Sequence, residues 1–119
     1  MIKLLGVLGS ALCLLAVAMG AYASHGSGLD AKATQSLEVA VRYQFWHGLM
    51  LVALSVLPLC RIRRIWAGTV MAIATIAFSG SIYLLVLAGL HAVWWVTPLG
   101  GTGLMLAWAL VIWAYIRER

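Results

Sequence analysis

The sequence predicts an all-α membrane protein of four transmembrane helices, with a short amphipathic helix between the first and second spans. Three observations carry this. Hydrophobic residues make up 65% of the 119 residues and charged residues 9%, against about 45–50% and 25% in soluble domains. The apolar residues fall in runs close to the roughly 20 residues that a helix needs to cross a bilayer. The basic residues sit at the ends of those runs. One small helical domain, 1–119, is the expectation.

The first span is placed at 4–23, after Lys3. Ala21-Tyr22-Ala23 has the form of a signal-peptidase site, but the run is longer than the usual core of about 7–15 residues in a signal peptide, so an uncleaved span is expected. Gly9, Cys13, Ala16 and Gly20 share a narrow helical face where another helix can come close. Ser24-His25-Gly26-Ser27-Gly28 supplies turn-forming residues, and Asp30 is placed to cap the next helix. From 31 to 43, Ala33, Leu37, Ala40 and Val41 line one face while Lys32, Gln35, Ser36, Glu38 and Arg42 fill the rest, which predicts an interfacial amphipathic helix with a Glu38–Arg42 pair.

The second span is expected at 44–60, followed by a tight basic turn at Arg61-Ile62-Arg63-Arg64, and the third at 65–88. Gly68, Ala72, Thr75 and Ser79 form a second small-residue face, suited to meet the first span. Residues 89–101, with Pro98, read as a loop, and Trp94-Trp95 fits a headgroup boundary. The fourth span is expected at 99–116. Cys13 and Cys60 lie in no metal-ligand spacing and read as small, buried, unpaired residues.

Four spans put both ends of the chain on one side. The cytoplasmic side of a bacterial inner membrane is predicted for them, since Lys3, Arg61, Arg63, Arg64, Arg117 and Arg119 then lie inside against Lys32 and Arg42 outside. The same placement accounts for the net charge of +5. With no aromatic residues interleaved in a basic groove, nucleic acid is not an expected partner.

The candidate chemistry lies in the outer half. At 1.5 Å per residue, Ser79 and Tyr83 stand about 21 and 27 Å above Ile65, and His47 about 7–8 Å below Arg42. Gln44, His47 and Gly48 share one face, as do Ser79 and Tyr83. A cluster of Gln44, His47, Ser79, Ser81 and Tyr83, with His25 above it, is therefore the candidate binding site. Polar groups at lipid depth face inward, where an imidazole stays neutral and both donates and accepts. The competing reading is that these side chains only join helices, at about 0.6–2 kcal/mol per bond. No catalytic or metal-binding set is expected, and His91 is assigned no role. The leading expectation is a non-enzymatic scaffold or accessory subunit that binds a lipid, a quinone, a partner helix or a second copy. The alternative is a redox subunit holding haem or quinone through His25 and His47. A transporter or channel would need a polar path. No span carries a carboxylate, and the inner half offers only Ser55 and Thr75.

Four segments resemble one family in order: Gly20-Ala21-Tyr22-Ala23-Ser24-His25-Gly26, Val41-Arg42-Tyr43-Gln44-Phe45-Trp46-His47, Phe78-Ser79-Gly80-Ser81-Ile82-Tyr83-Leu84-Leu85 and Thr97-Pro98-Leu99-Gly100-Gly101. With them the chain resembles, nearly end to end, the small inner-membrane proteins of the YgdD type (domain of unknown function 423), related to the eukaryotic transmembrane protein 256. Tyr22, Ala23 and Ser24 depart from the family's first motif. The resemblance implies four spans in a bacterial inner or mitochondrial membrane, and brings no activity or cofactor with it.

Overall fold

A few residues decide where the helices stop. In the computed structural model, which describes residues 2–25 and 28–118, α1 covers Ile2–Ser24, α2 Ala31–Val56, α3 Arg61–Leu87 and α4 Val96–Ile116, with one 3-10 turn at His91–Val93. Each of the four is long and apolar enough to cross a membrane, and there is no strand among the described residues. Asp30 caps α2 as expected, its carboxylate accepting from the Ala33 amide at 2.8 Å. Gly89, at φ 67°, takes the left-handed conformation just beyond α3, where a side chain would be strained. Of the turn expected at Ser24-His25-Gly26-Ser27-Gly28, Ser24 ends α1 and Gly28 has φ 77°, while Gly26 and Ser27 lie outside the described residues.

The separate amphipathic helix does not form. Residues 31–56 are one continuous helix, because neither glycine nor proline interrupts it before Gly48. At 1.5 Å per residue its 26 residues span about 39 Å, longer than a hydrocarbon core of about 30 Å. The exposed Lys32 and Gln35 occupy the overhanging turns, and the exposed Glu38 follows just beyond them. Leu37 and Ala40 are fully buried, so this stretch packs in the bundle. Among the described residues the one ion pair is Arg63–Glu118; the expected Glu38–Arg42 pair does not form, and both side chains are exposed.

Two other boundaries shift. The turn between α2 and α3 is 57–60, and Arg61 to Arg64 form the first turn of α3. The expected loop at 89–101 shortens, because α4 begins at Val96 and takes Pro98 into its first turn, where a missing amide hydrogen costs no helical bond.

The helices pack as two antiparallel hairpins, α1 on α2 and α3 on α4, joined through α2 and α3. Leu5, Leu51, Leu54, Met71 and Ala107 belong to the shared core. Glycines set the close approaches. A Cβ on Gly9 would lie 2.5 Å from the Gly48 carbonyl oxygen, and one on Gly100 2.5 Å from the Phe78 nitrogen, so backbone meets backbone at both places. Gly68 makes room for Leu5, so that part of the α3 face does meet α1, and Gly20 faces Val41 more loosely. The α1 face, by contrast, packs on α2.

The bundle thus has a connection end, with the α1–α2 and α3–α4 links, and a basic end. At the basic end Pro58 has no amide hydrogen to give the Leu54 carbonyl, four residues back; the Arg64 guanidinium donates to it instead, at 3.1 Å. Glu118 ties α4 to the start of α3, accepting from the Cys60 amide at 3.0 Å and lying 3.7 Å from Arg63. Both cysteines are free and half-buried, less buried than expected. The amides of Arg63 and Ile62 hold the Cys60 thiol below its ordinary pKa.

Candidate functional site

The six candidate residues separate into groups. The best connected is Gln44 with Tyr83. The Gln44 amide donates to the Leu12 carbonyl of α1 at 2.8 Å, and the Tyr83 hydroxyl of α3 donates to the Gln44 carbonyl oxygen. One α2 side chain thus links three helices. It can do so because the Leu12 carbonyl, already accepting within α1, has a second lone pair. One turn earlier on α2, the Ala40 carbonyl accepts from the Ser79 hydroxyl at 2.8 Å. Ala40 and Gln44 share one face of α2, and Ser79 and Tyr83 one face of α3, so both contacts lie on the α2–α3 seam; because the helices run antiparallel, the long Tyr83 side chain reaches back past the level of Ser79 to meet Gln44.

His47 faces inward, 5% exposed, but toward α4. Its Nδ1–H donates to the Tyr43 carbonyl at 2.6 Å, which leaves Nε2 to accept from the Trp108 indole N–H at 2.9 Å. This bonding requires the neutral ring with the proton on Nδ1. Ser81 also turns to α4, where it shares a hydrogen bond with Thr97. His25 is exposed beyond the end of α1.

His25 and His47 do not converge. Gly20 lies beside Val41, and counting outward along both helices from that contact sets the two histidines roughly 15–20 Å apart on the bundle axis. For His47 to bind iron, its Nε2 lone pair would have to leave the indole. No group of three or more metal-ligating side chains occurs among the described residues. The hydroxyls of Thr75 and Ser55, the candidates for an inner polar path, donate to carbonyls of their own helices, Met71 at 2.7 Å and Val52 at 2.5 Å.

Beside the Gln44–Tyr83 link lies a groove between α1 and α3 of about 460 Å³. Leu8, Leu12, Leu15, Met19 and Ile76 form its walls, and Gly80, Ser79 and Tyr83 its inner edge. A Cβ on Gly80 would meet nothing within 4 Å. The groove opens sideways, toward the space that a bilayer fills. Gln44, Ser79 and Tyr83 border it, whereas His25, His47 and Ser81 do not.

Sequence reasoning missed Trp108, Thr97 and the Leu12 carbonyl. The first two were within reach of the depth arithmetic had it been extended to the last span, because both lie on α4 at the levels of their partners. A backbone acceptor leaves no mark in the sequence.

The model of a protein family described as "Protein of unknown function (DUF423)" matches residues 19–101. The chain is 34% identical to a UPF0382 membrane protein of Staphylococcus haemolyticus, over 92% of this chain and 93% of the relative. It is 32% identical to the UPF0382 membrane protein YwdK of Bacillus subtilis, over 97% and 98%. It is 33% identical to the UPF0382 inner membrane protein YgdD of Escherichia coli, over 85% and 80%. No solved structure matches.

Proposed function

Since the chain belongs to the DUF423 family of membrane proteins, whose description carries no activity, we propose from its geometry a non-enzymatic membrane scaffold or accessory subunit that holds one lipid acyl chain in the α1–α3 groove. The observation that supports this reading is the groove itself, open beside Gly80 between two helices of membrane-crossing length. Its volume falls within the range of about 300–1,000 Å³ typical of ligand sites. The Tyr83 hydroxyl and Gln44 amide direct their bonds to each other and to Leu12, so the groove offers a chain hydrocarbon walls rather than a headgroup cradle.

A Cβ at position 80 meets nothing within 4 Å, so Gly80→Leu projects into the groove without a clash at its base, and in a helix leucine is favoured over glycine by nearly 1 kcal/mol. The variant is expected to keep its thermal stability yet retain at least fivefold less lipid through purification in mild detergent, measured by mass spectrometry of the extracted lipids. Equal lipid in both proteins would remove the acyl-chain reading. A co-purified quinone, or a second protein lost with the same substitution, would replace it.

We place the protein in a bacterial inner membrane with both ends of the chain in the cytoplasm. Lys3, Arg61, Arg63, Arg64 and Arg117 at the basic end support this orientation. An alkaline phosphatase fused after the last residue is expected to be inactive in cells, and a fluorescent protein fused there bright. The opposite pair of results would invert the orientation.

A further inference from the structure

The chain has three acidic residues, and two of them, Asp30 and Glu38, belong to α2 near the connection end. The third, Glu118, is engaged by Arg63 and the Cys60 amide. The charges of Arg61 and Arg64 therefore have no carboxylate to meet among the described residues. They stand three residues apart in the first turn of α3, on one face of the helix. Arg64 is anchored by its bond to the Leu54 carbonyl, while its buried Nε has no partner. Arg61 is exposed. The apolar run of α3 begins immediately after, at Ile65, and Trp66, 57% exposed, suits a headgroup boundary.

We propose that Arg61 and Arg64 form a site for the phosphate of an anionic phospholipid. Two guanidinium groups at headgroup level, one of them fixed, match the charge and the oxygen geometry of a phosphodiester. A free phosphate has the same chemistry, but the position of the pair at the start of the α3 apolar run, at the headgroup level that Trp66 marks from the opposite face of the helix, favours one that carries acyl chains. The site lies at the opposite end of the bundle from the Tyr83 end of the groove and does not depend on it.

The test is native mass spectrometry of the full chain titrated with phosphatidylglycerol or phosphatidylcholine in detergent. Phosphatidylglycerol is expected to bind more tightly. At roughly fivefold per arginine near an anionic surface, Arg61→Gln should weaken it about fivefold, and Arg61→Gln with Arg64→Gln about 25-fold. Arg61→Lys should keep part of the affinity. Because Arg64→Gln also removes the bond to Leu54, Arg61→Gln alone is the variant expected to leave folding unchanged. Equal binding of the two lipids, or no effect of Arg61→Gln, would overturn the proposal. So would an equal loss in Lys3→Gln, which would mean diffuse attraction to the whole basic end. Competition by millimolar inorganic phosphate would assign the site to a free anion and end the lipid reading.

Discussion

Replacing Gly9 with valine is expected to separate α1 from α2 and to lower stability by more than about 3 kcal/mol, beyond the usual cost of overpacking. The added Cβ would lie 2.5 Å from the Gly48 carbonyl oxygen, 2.8 Å from the Leu51 Cβ and 2.9 Å from the Val52 nitrogen. Two of these are backbone atoms and cannot rotate away. The helices would have to part, and the Gln44–Leu12 bond one turn further along α1 would stretch with them. Gly48 is constrained in return, since a Cβ there would lie 2.9 Å from both the Gly9 oxygen and the Cys13 sulfur. The measurement is thermal unfolding in detergent, with Gly80→Ala as the control expected to match or slightly exceed the parent. A Gly9→Val protein melting within a degree or two of the parent would contradict the backbone contact.

Gln44→Leu is expected to cost about 2–3 kcal/mol. Leucine is nearly isosteric, so the loss is polar: the Leu12 carbonyl loses a donor, and the half-buried Tyr83 hydroxyl loses its acceptor, which alone costs about 1–3 kcal/mol. Tyr83→Phe should cost less, because it leaves the Gln44–Leu12 bond intact. Both changes together should cost less than their sum, by the roughly 0.6–1.7 kcal/mol of an interhelical bond in a membrane. Strict additivity in a double-mutant cycle would show that the two side chains do not act as a pair.

What could be read from the residues, and what could not, divides along physical lines. The number of spans follows from apolar length, and the Asp30 cap from local chemistry. The inward turn of His47 follows from the cost of an imidazole in lipid. The continuity of α2 was hidden by composition, because Lys32, Glu38 and Arg42 made an overhanging helix resemble an interfacial one. The division of the polar residues was hidden as well. Counting depth from Arg42 puts Gln44, His47, Ser79, Ser81 and Tyr83 in one half of the bundle, but α2 starts at Ala31 and His47 meets Trp108 nearer the basic end, and azimuth around each helix sends His47 and Ser81 to α4 and the others to the α1–α3 side. Azimuth depends on how helices cross, and the Gly9–Gly48 and Gly100–Phe78 contacts that fix the crossings are tertiary.

Most of the donors that tie one segment to another end on main-chain oxygens: Gln44 on Leu12, Ser79 on Ala40, Cys13 on Phe45 and Arg64 on Leu54. A carbonyl is present whatever side chain its residue carries. Substitution is therefore asymmetric across each of these joints. The donor's identity is constrained, while the acceptor position can drift through any residue that keeps the helix and its packing. Such a bundle can accumulate many changes on its receiving positions without rewiring, and an interhelical bond can appear in one mutational step because only one side has to evolve.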